Sequence, residues 1–217
     1  MGKLKAIVFD LDGTLYTSRE LAAEIHRVAC SAIALQLGAC FEEAEARLAV
    51  AKRALVARSG REATLSAACQ ELGCDIRALH SYLAENVEPE PFLKRDERVL
   101  DMLARLARDY SLLVYTNNNR QLAGRIMAAI GVDSHMERLF TIEYCWRSKP
   151  DRGVLENIFA EIGVAPRECL FVGDRYDVDL RLPEEMGCRS YLTKSIDELL
   201  RLEGFADCGF GDNRGGE

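Results

Sequence analysis

The 217-residue sequence has only three histidines, and none of its eight cysteines belongs to a C-x-x-C pair. Zinc sites and thioredoxin-like redox centres are built from such clusters, so the composition disfavours both. The cysteines are also too scattered to indicate a disulfide framework, and we interpret them as reduced thiols of a cytoplasmic protein. They are Cys30, Cys40, Cys69, Cys74, Cys145, Cys169, Cys188 and Cys208.

Long hydrophobic runs and an excess of basic residues are missing as well. No apolar run approaches the ~18 residues that a membrane span needs. The N-terminus enters a predicted strand without the apolar region of a signal peptide, so a cytoplasmic location is expected. The net charge is −7, with 28 Lys and Arg against 35 Asp and Glu. This balance argues against nucleic acid as a partner, and no membrane partner is expected.

A short apolar segment near the N-terminus ends in two carboxylates. The sequence AIVF (6–9) is rich in β-branched and aromatic residues and is followed by DLDGTL (10–15). Such a run predicts a strand that is buried on both faces of a parallel sheet. Since side chains alternate along a strand, Asp10 and Asp12 can share one face. Two carboxylates held close repel each other unless a cation lies between them, which predicts a hard cation such as Mg²⁺.

The rest of the chain divides into a helical part and an alternating part. Residues 17–86 show apolar residues at helical spacing and contain no strand candidate, with Thr17 predicted as the first N-cap and Gly38 as the first helix end. The Pro-rich, acidic stretch 87–91 is predicted to be a linker. From Arg95 on, helices alternate with strands, which predicts a doubly wound parallel sheet with right-handed crossovers.

The predicted organisation is therefore an α/β core formed by residues 1–16 and 92–217, with an all-helical domain inserted over 17–91. A glycine-rich tail over 209–217 is predicted to be frayed. Ligands of doubly wound sheets bind outside the carboxyl ends of the strands. The polar residues that the sequence places at or near these ends are Asp10, Asp12, Thr116, Asn117, Lys149 and Asp174.

These residue types are the ones that phosphoryl transfer needs. One carboxylate attacks phosphorus, and a second protonates the leaving oxygen and later activates water. A lysine and a hydroxyl neutralise charge on the phosphoryl oxygens. Taken singly, Asp12-Gly13 is turn chemistry, Thr116-Asn117 is a helix N-cap and Lys149 is a surface lysine. Only their joint placement at successive strand ends favours a catalytic interpretation.

Four motifs occur in order along the chain: DLDGT (10–14), YTN (115–117), SKP (148–150) and GDRYDVD (173–179). Together they resemble the motifs of the haloacid dehalogenase superfamily of phosphohydrolases. The resemblance implies a Rossmann-like core with a helical cap that closes over the site and excludes water. It also implies a Mg²⁺-dependent phosphatase that hydrolyses a small phosphorylated metabolite, of nucleotide, sugar phosphate or phosphoglycolate type, through an aspartyl-phosphate.

The resemblance assigns a role to each matched position. It implies that Asp10 is the nucleophile and Asp12 the general acid and base, with Thr116 and Lys149 as further catalytic residues. The implied phosphate-binding residues are Gly13, Thr116, Asn117 and Lys149. The implied metal-binding residues are Asp10, Asp12, Asp174 and Asp179. The second acidic residue of the fourth motif stays open between Asp177 and Asp179, and a spacing of four intervening residues after Asp174 favours Asp179.

The same motifs have to be weighed against three other functions. A phosphomutase would keep the same residues but transfer phosphate to a second substrate. A dehalogenase is disfavoured because such enzymes lack the acid/base carboxylate that Asp12 supplies here. A phosphorylation-switch module that resembles a receiver domain also uses acidic residues, threonine and lysine, but it has no helical insertion after its first strand.

Overall fold

The computed structural model describes residues 3–207, so the predicted frayed tail over 209–217 lies outside the described residues. Five parallel strands form a sheet in the order β3-β2-β1-β4-β5. The chain thus builds outward from β1 through β2 to β3 and then crosses to the other side of β1 for β4 and β5. The predicted doubly wound parallel sheet is confirmed. The strands are β1 (Ala6–Phe9), β2 (Ser111–Tyr115), β3 (Arg138–Phe140), β4 (Cys169–Gly173) and β5 (Arg189–Leu192).

Strand β1 lies at the centre of the sheet and is covered on both faces. Each of its four residues is at most 1% exposed. Ile7 and Phe9 pack into the hydrophobic cluster on one face, whereas Ala6 and Val8 pack into the cluster on the other. This alternation explains why the segment has no polar residue until the strand ends. The N–H of Asp10 then donates to the carbonyl of Val172 in β4 at 2.8 Å, which fixes Asp10 beside the end of that strand.

The segment between β1 and β2 is helical over most of its length. Gly38 ends the first helix in the left-handed conformation (φ 61°), as the sequence predicts. The prediction of Thr17 as its N-cap is wrong by one residue, because the Ser18 hydroxyl accepts the N–H of Leu21 at 3.1 Å. The helices are α1 (Arg19–Leu37), α2 (Phe41–Ser59), α3 (Leu65–Glu71) and α4 (Ile76–Asn86).

The predicted linker is anchored to the sheet domain. It contains a 3-10 turn over Glu90–Phe92. Arg125 of the helix after β2 holds Glu90 with two hydrogen bonds of 2.7 Å and also donates to the Val87 carbonyl at 2.9 Å. The chain therefore returns from the helices to the sheet along a fixed path.

Further helices cover the two faces of the sheet. Helices α5, α6, α9 and α10 contribute to one hydrophobic cluster, and α7 and α8 contribute to the other. Among the described residues, no helix has both the length and the apolar character that a membrane crossing requires. These helices are α5 (Glu97–Leu106), α6 (Arg120–Ile130), α7 (Arg152–Ile162), α8 (Arg181–Glu185), α9 (Ile196–Leu199) and α10 (Leu202–Asp207).

Candidate active site

Three carboxylates meet at the adjacent carboxyl ends of β1 and β4. Asp10 follows β1, Asp174 follows β4, and Asp179 lies in a π-helical turn over Tyr176–Leu180. One carboxylate oxygen of each residue lies within 4.8 Å of the other two. Asp10 and Asp179 are buried, and Asp174 is partly buried. The sheet topology explains this meeting, because neighbouring parallel strands end at the same edge.

A buried lysine bridges two of these carboxylates. Lys149 Nζ donates to Asp10 Oδ1 at 2.6 Å, to Asp179 Oδ1 at 2.8 Å and to the carbonyl of Tyr115 at 2.7 Å. Burial by itself would lower the pKa of Lys149, but the charges of Asp10 and Asp179 outweigh it and raise that pKa. The ammonium group therefore stays charged, with all three of its donors used.

The charge of Asp10 is balanced only in part. Burial, followed by the charge of Asp179, raises the pKa of Asp10 to about 7, although Lys149 acts in the opposite direction. Asp10, Asp179 and Lys149 together leave one negative charge, and Asp174 adds a second. Arg175 offsets that second charge incompletely, because its Nε lies 3.7 Å from Asp174 Oδ1. The site carries a surplus of negative charge near the sheet edge.

Asp174 provides a direct test of whether a divalent cation fits. Its Oδ1 is buried and accepts no hydrogen bond from the described residues. Burial raises the pKa of Asp174, which reflects the cost of an incompletely compensated carboxylate. Carboxylate oxygens at this spacing are the hard donors that Mg²⁺ takes. The residues at the strand ends therefore fit a divalent cation.

The Asp12 carboxylate has a different environment and does not belong to this group of three. Its Oδ1 accepts the hydroxyl of Tyr16 at 2.5 Å, and its Oδ2 accepts the Asn118 amide at 2.8 Å. The hydroxyl of Thr116 lies 3.4 Å from the same Oδ2. Burial and the charge of Asp12 raise the pKa of Tyr16, so its hydroxyl remains a donor. Neutral donors hold Asp12, whereas a cation holds Asp10.

The residues predicted to bind phosphate lie around these carboxylates. Asn117 Oδ1 accepts the N–H of Lys149 at 2.8 Å, and its buried Nδ2 has no acceptor within the described chain. Thr116 is buried, and its hydroxyl accepts the N–H of Asn118 at 3.1 Å. Gly13 has φ 85° and lies directly against Asp174. The structure thus places all four predicted phosphate-binding positions, Lys149 included, at one edge of the sheet.

The fourth motif contains two acidic residues with different surroundings. Asp179 is bound by Lys149 and also accepts the backbone N–H of Arg175 at 3.2 Å. Asp177 instead pairs with Arg181 at 3.1 Å and accepts the backbone N–H of Glu62 at 3.4 Å. The structure therefore brings Asp179 to the other carboxylates and directs Asp177 toward the inserted helices.

A cavity of about 800 Å³, called the site cavity below, separates the strand ends from helices α1–α4. Residues from both parts of the molecule line it, so the inserted helices cover the carboxylates. The sheet domain contributes Asp12, Gly13, Asn117, Asn118, Asp174 and Arg175, and the helical segment contributes His26, Lys52, Thr64, Ser66 and His80.

Sequence reasoning missed three contributors to the site: Tyr16, Asn118 and Arg175. Tyr16 follows Asp12 by four residues, and this spacing alone does not predict a contact. The two side chains meet because the chain turns at Gly13. Asn118 is the second of three consecutive asparagines, and composition does not distinguish them. Arg175 occurs inside the fourth motif, in which the resemblance assigns roles only to the carboxylates.

Comparisons with known proteins agree with this geometry. A family model described as haloacid dehalogenase-like hydrolase matches residues 4–187. The chain is 26% identical over 190 residues to a phosphoglycolate phosphatase of Pectobacterium atrosepticum, covering 86% of this chain and 79% of that protein.

Solved structures show the same fold at lower identity. The chain is similar to a HAD phosphatase from Thermococcus onnurineus, with a TM-score of 0.59, 18% identity, and coverage of 94% of this chain and 98% of that one. It is also similar to a 2-haloacid dehalogenase from Pseudomonas syringae pathovar tomato, with a TM-score of 0.58, 19% identity, and coverage of 93% and 97%. These two structures carry different activities in their names, so the fold alone does not select the reaction.

Proposed function

Because the chain belongs to the haloacid dehalogenase-like hydrolases, we propose that it is a Mg²⁺-dependent phosphatase that hydrolyses small phosphomonoesters through an aspartyl-phosphate on Asp10. One observation carries the proposal: the structure holds two neighbouring carboxylates in opposite environments. Asp10 is bound by the Lys149 cation at 2.6 Å, and Asp12 is bound by neutral donors. A nucleophile and a proton donor need this kind of difference.

Asp10 is the proposed nucleophile. Its Oδ1 is engaged by Lys149, whereas its Oδ2 receives, from residues 3–207, only a long contact of 3.4 Å from the Thr14 hydroxyl. Oδ2 therefore keeps a lone pair that can attack phosphorus. Lys149 favours the ionised form of Asp10, against the effect of burial on its pKa. The attack forms a bond between Asp10 and phosphorus and breaks the bond from phosphorus to the leaving oxygen.

Asp12 is the proposed general acid and base. It gives its proton to the leaving oxygen in the first step, so the product leaves as an alcohol. It then takes a proton from water while that water attacks the phosphorus of the phosphoenzyme, which releases phosphate and regenerates Asp10. Tyr16 and Asn118 hold the Asp12 carboxylate in place for both transfers.

Asp10, Asp174 and Asp179 are the residues proposed to hold the divalent cation. When it is bound, Mg²⁺ supplies positive charge to the phosphoryl oxygens. The unpaired Nδ2 of Asn117 is the donor of this chain proposed to bind those oxygens, and Lys149 adds a buried positive charge beside them. Asp12 is proposed to act through its proton alone, because its carboxylate is separate from the other three.

The helical segment 17–91 is proposed to act as a cap domain on the core formed by residues 1–16 and 92–217. It lies over the site cavity and contacts the core at the site, where the Glu62 N–H donates to Asp177 at 3.4 Å. A cover of this kind excludes bulk water during phosphoryl transfer and selects the leaving group. The similar phosphatase of P. atrosepticum makes phosphoglycolate one of the small phosphorylated metabolites to test as a substrate.

The test of this function is turnover of p-nitrophenyl phosphate. We expect multiple turnovers with Mg²⁺, loss of activity with excess EDTA, and recovery when Mg²⁺ is restored. Borohydride added during turnover is expected to reduce the acyl phosphate, converting Asp10 to homoserine, which peptide mass analysis detects. A single stoichiometric phosphorylation without release would contradict the proposal and favour a phosphorylation switch. Transfer of phosphate to a second substrate instead of water would indicate a phosphomutase.

Gly13 allows a sharp test of the position of Asp174. A Cβ added at residue 13 would lie 2.6 Å from Asp174 Oδ2, and the φ of 85° is unfavourable for any other residue type. Gly13→Ala is therefore expected to displace the Asp174 carboxylate. We expect kcat to fall by about 100-fold, the size of effect that a displacement of about 1 Å produces at a reacting centre. Steady-state turnover of p-nitrophenyl phosphate measures it.

Gly38→Ala is the matched control for this change. Gly38 also has a positive φ of 61°, but a Cβ there meets no atom within 4 Å. Both variants carry a similar backbone penalty of about 1–2 kcal/mol, and only Gly13→Ala disturbs a carboxylate. Equal activity of the two variants would show that the contact with Asp174 is unimportant.

A further inference from the structure

Three side chains with nitrogen, sulfur and oxygen donors converge between α1 and α2 of the inserted segment. His26 Nε2 lies 3.6 Å from Cys30 Sγ and 3.5 Å from Glu45 Oε1. Each of the three donor atoms lies within 4.8 Å of the other two. One further group of this kind occurs among residues 3–207, and it consists of the carboxylates at the strand ends. A single imidazole nitrogen of the inserted helices therefore faces a thiol and a carboxylate together.

The two helices bring these residues together. His26 and Cys30 are four residues apart on α1, and this spacing places both side chains on one face of the helix. Helix α2 packs against α1, which brings Glu45 from its second turn to that face. Cys30 is buried, whereas the side chains of His26 and Glu45 are 42% and 50% exposed. The sulfur is therefore the inner donor of a group that solvent can reach.

The two measured separations match the edges of a tetrahedral zinc site. With a Zn–S bond of about 2.3 Å and Zn–N and Zn–O bonds of about 2.0–2.2 Å, those edges are about 3.4–3.6 Å long. The nitrogen of His26 is farther from Glu45 than the roughly 2.7–3.2 Å of an N–H···O hydrogen bond. A weak hydrogen bond from the Cys30 thiol explains the sulfur contact alone. It does not explain why the carboxylate approaches the same nitrogen, whereas a shared ion explains both.

We propose that His26, Cys30 and Glu45 bind Zn²⁺, with a water molecule as the fourth ligand. The thiol gives its proton to solvent, and the thiolate, one imidazole nitrogen and one carboxylate oxygen bond to the metal. This donor set disfavours Mg²⁺, which takes oxygen ligands in octahedral geometry. The site also differs from the zinc centres that the cysteine spacing disfavours, because its ligands come from two helices and include one cysteine. It does not depend on the proposed phosphatase function.

The bound ion would have two structural consequences. It would connect α1 to α2, and it would fix the side chain of His26, which lines the site cavity. Because the three donors come together only in the folded protein, Zn²⁺ is expected to raise the midpoint of thermal unfolding by mass action. Glu45→Gln is expected to show a smaller rise at the same Zn²⁺ concentration.

The experiment uses Co²⁺ as a spectroscopic probe for Zn²⁺, because its absorption reports both a thiolate ligand and the coordination number. The full chain, with its thiols reduced, is titrated with Co²⁺ in excess Mg²⁺, which competes for the carboxylates at the strand ends. We expect one Co²⁺ per chain, a thiolate-to-metal charge-transfer band and the intense visible bands of a four-coordinate ion. Added Zn²⁺ is expected to abolish these bands by displacing the cobalt.

Three variants each remove one ligand. Cys30→Ser is expected to lose the charge-transfer band. His26→Gln and Glu45→Gln are expected to weaken Zn²⁺ binding, measured by competition with a chromophoric chelator, by at least about tenfold, since the loss of a partner outside the ligand shell already costs that much. Glu45 is exposed, so Glu45→Gln tests the site even if Cys30→Ser fails to fold.

The matched controls make the same chemical changes at exposed positions near the start of α2. They are Cys40→Ser and Glu42→Gln. We expect both variants to keep the charge-transfer band and a Zn²⁺ affinity within about twofold of the unmodified value, because an exposed charge that is not a ligand is screened by solvent and salt.

Several results would overturn the zinc site. They are an unmodified protein without a charge-transfer band, a band that survives in Cys30→Ser, or unchanged Zn²⁺ affinity in Glu45→Gln. Equal weakening by Glu42→Gln would show that net charge, and not ligation by Glu45, controls binding, and it would reject the site as well. Each of these results leaves the phosphatase proposal intact, because that proposal rests on the carboxylates at the strand ends.

Discussion

Replacing Asp10 with asparagine is expected to reduce turnover of p-nitrophenyl phosphate by a factor on the order of 10⁴ to 10⁶, the range found when a catalytic nucleophile is removed. The amide is a poor nucleophile toward phosphorus and forms no acyl phosphate. Its oxygen can still accept the hydrogen bond that Lys149 donates to Asp10 at 2.6 Å. The substitution therefore removes the reaction and keeps the main contact.

Stability measurements separate this effect from misfolding. The pKa of Asp10 is raised to about 7, so the ionised carboxylate lowers the stability of the metal-free protein at higher pH. We expect Asp10→Asn to have a free energy of unfolding in EDTA at pH 8 that equals or exceeds that of the unmodified protein. A large loss of stability would contradict this account of the charge at Asp10.

Asp101→Asn is the control for the same chemical change at an exposed position of α5. It is expected to leave kcat and the borohydride-trapped phosphoenzyme unchanged, whereas Asp10→Asn gives no trapped phosphoenzyme. If Asp10→Asn retained more than about a tenth of the activity, another residue would have to be the nucleophile, because loss of a true nucleophile costs far more.

The core of this fold follows from short-range patterns in the sequence. The apolar run 6–9 predicts a central strand, because a strand that is covered on both faces buries every side chain and is therefore apolar throughout. The carboxyl ends of parallel strands share one edge, so the motifs after β1, β2 and β4 meet there in any doubly wound sheet. The placement of Asp10, Thr116 and Asp174 could therefore be anticipated before their contacts were visible.

The finer arrangement of the site depends on the path of individual loops. Residue type alone does not distinguish the three asparagines 117–119, but Asn117 binds the Lys149 loop, Asn118 binds Asp12 and Asn119 caps α6. Likewise, the π-helical turn after β4 decides that Asp179 rather than Asp177 reaches Lys149. These choices follow from the backbone direction over a few residues, which periodicity does not encode.

Local sequence patterns also do not predict how the inserted helices pack over the ends of the strands. Lys52 occurs on α2 among alternating charged and apolar residues, where it resembles any solvated lysine. Its position in the lining of the site cavity arises only when the inserted helices lie over the strand ends. The lining of the site cavity thus depends on tertiary packing, while the residues proposed for the reaction emerge from motif and topology.

Lys149→Met is expected to have the largest effect on stability and to lower activity as well. Lys149 is 3% exposed, and its ammonium group contacts Asp10, Asp179 and the Tyr115 carbonyl. Removing it leaves two buried carboxylates without their cation. We expect the free energy of unfolding, measured by denaturant titration in EDTA at pH 8, to fall by about 3–5 kcal/mol. Activity is expected to fall by about 10³-fold or more, because the phosphoryl charge loses a nearby buried cation.

Lys5→Met provides the contrast at the surface. Lys5 pairs with Glu168 at 2.9 Å, and more than half of its side chain is exposed, since its relative accessibility is 56%. Solvent screens this pair, so its loss is expected to lower stability by less than about 1 kcal/mol. If Lys5→Met and Lys149→Met lowered the free energy of unfolding by similar amounts, burial would not strengthen the contribution of the Lys149 ion pairs to stability.

A double variant tests whether unpaired charge, and not lost packing, explains the effect. Methionine retains most of the volume of lysine, so a packing defect would persist when Asp179 is also changed to asparagine. If uncompensated charge is the cause, Lys149→Met with Asp179→Asn is more stable than Lys149→Met alone, because one of the two unpaired carboxylates is gone. The activity of the double variant stays low in either case, since the cation that offsets phosphoryl charge is absent. Stability that recovers while activity does not would separate the two roles of this lysine: to neutralise the carboxylates of the folded protein and to stabilise phosphoryl charge during the reaction.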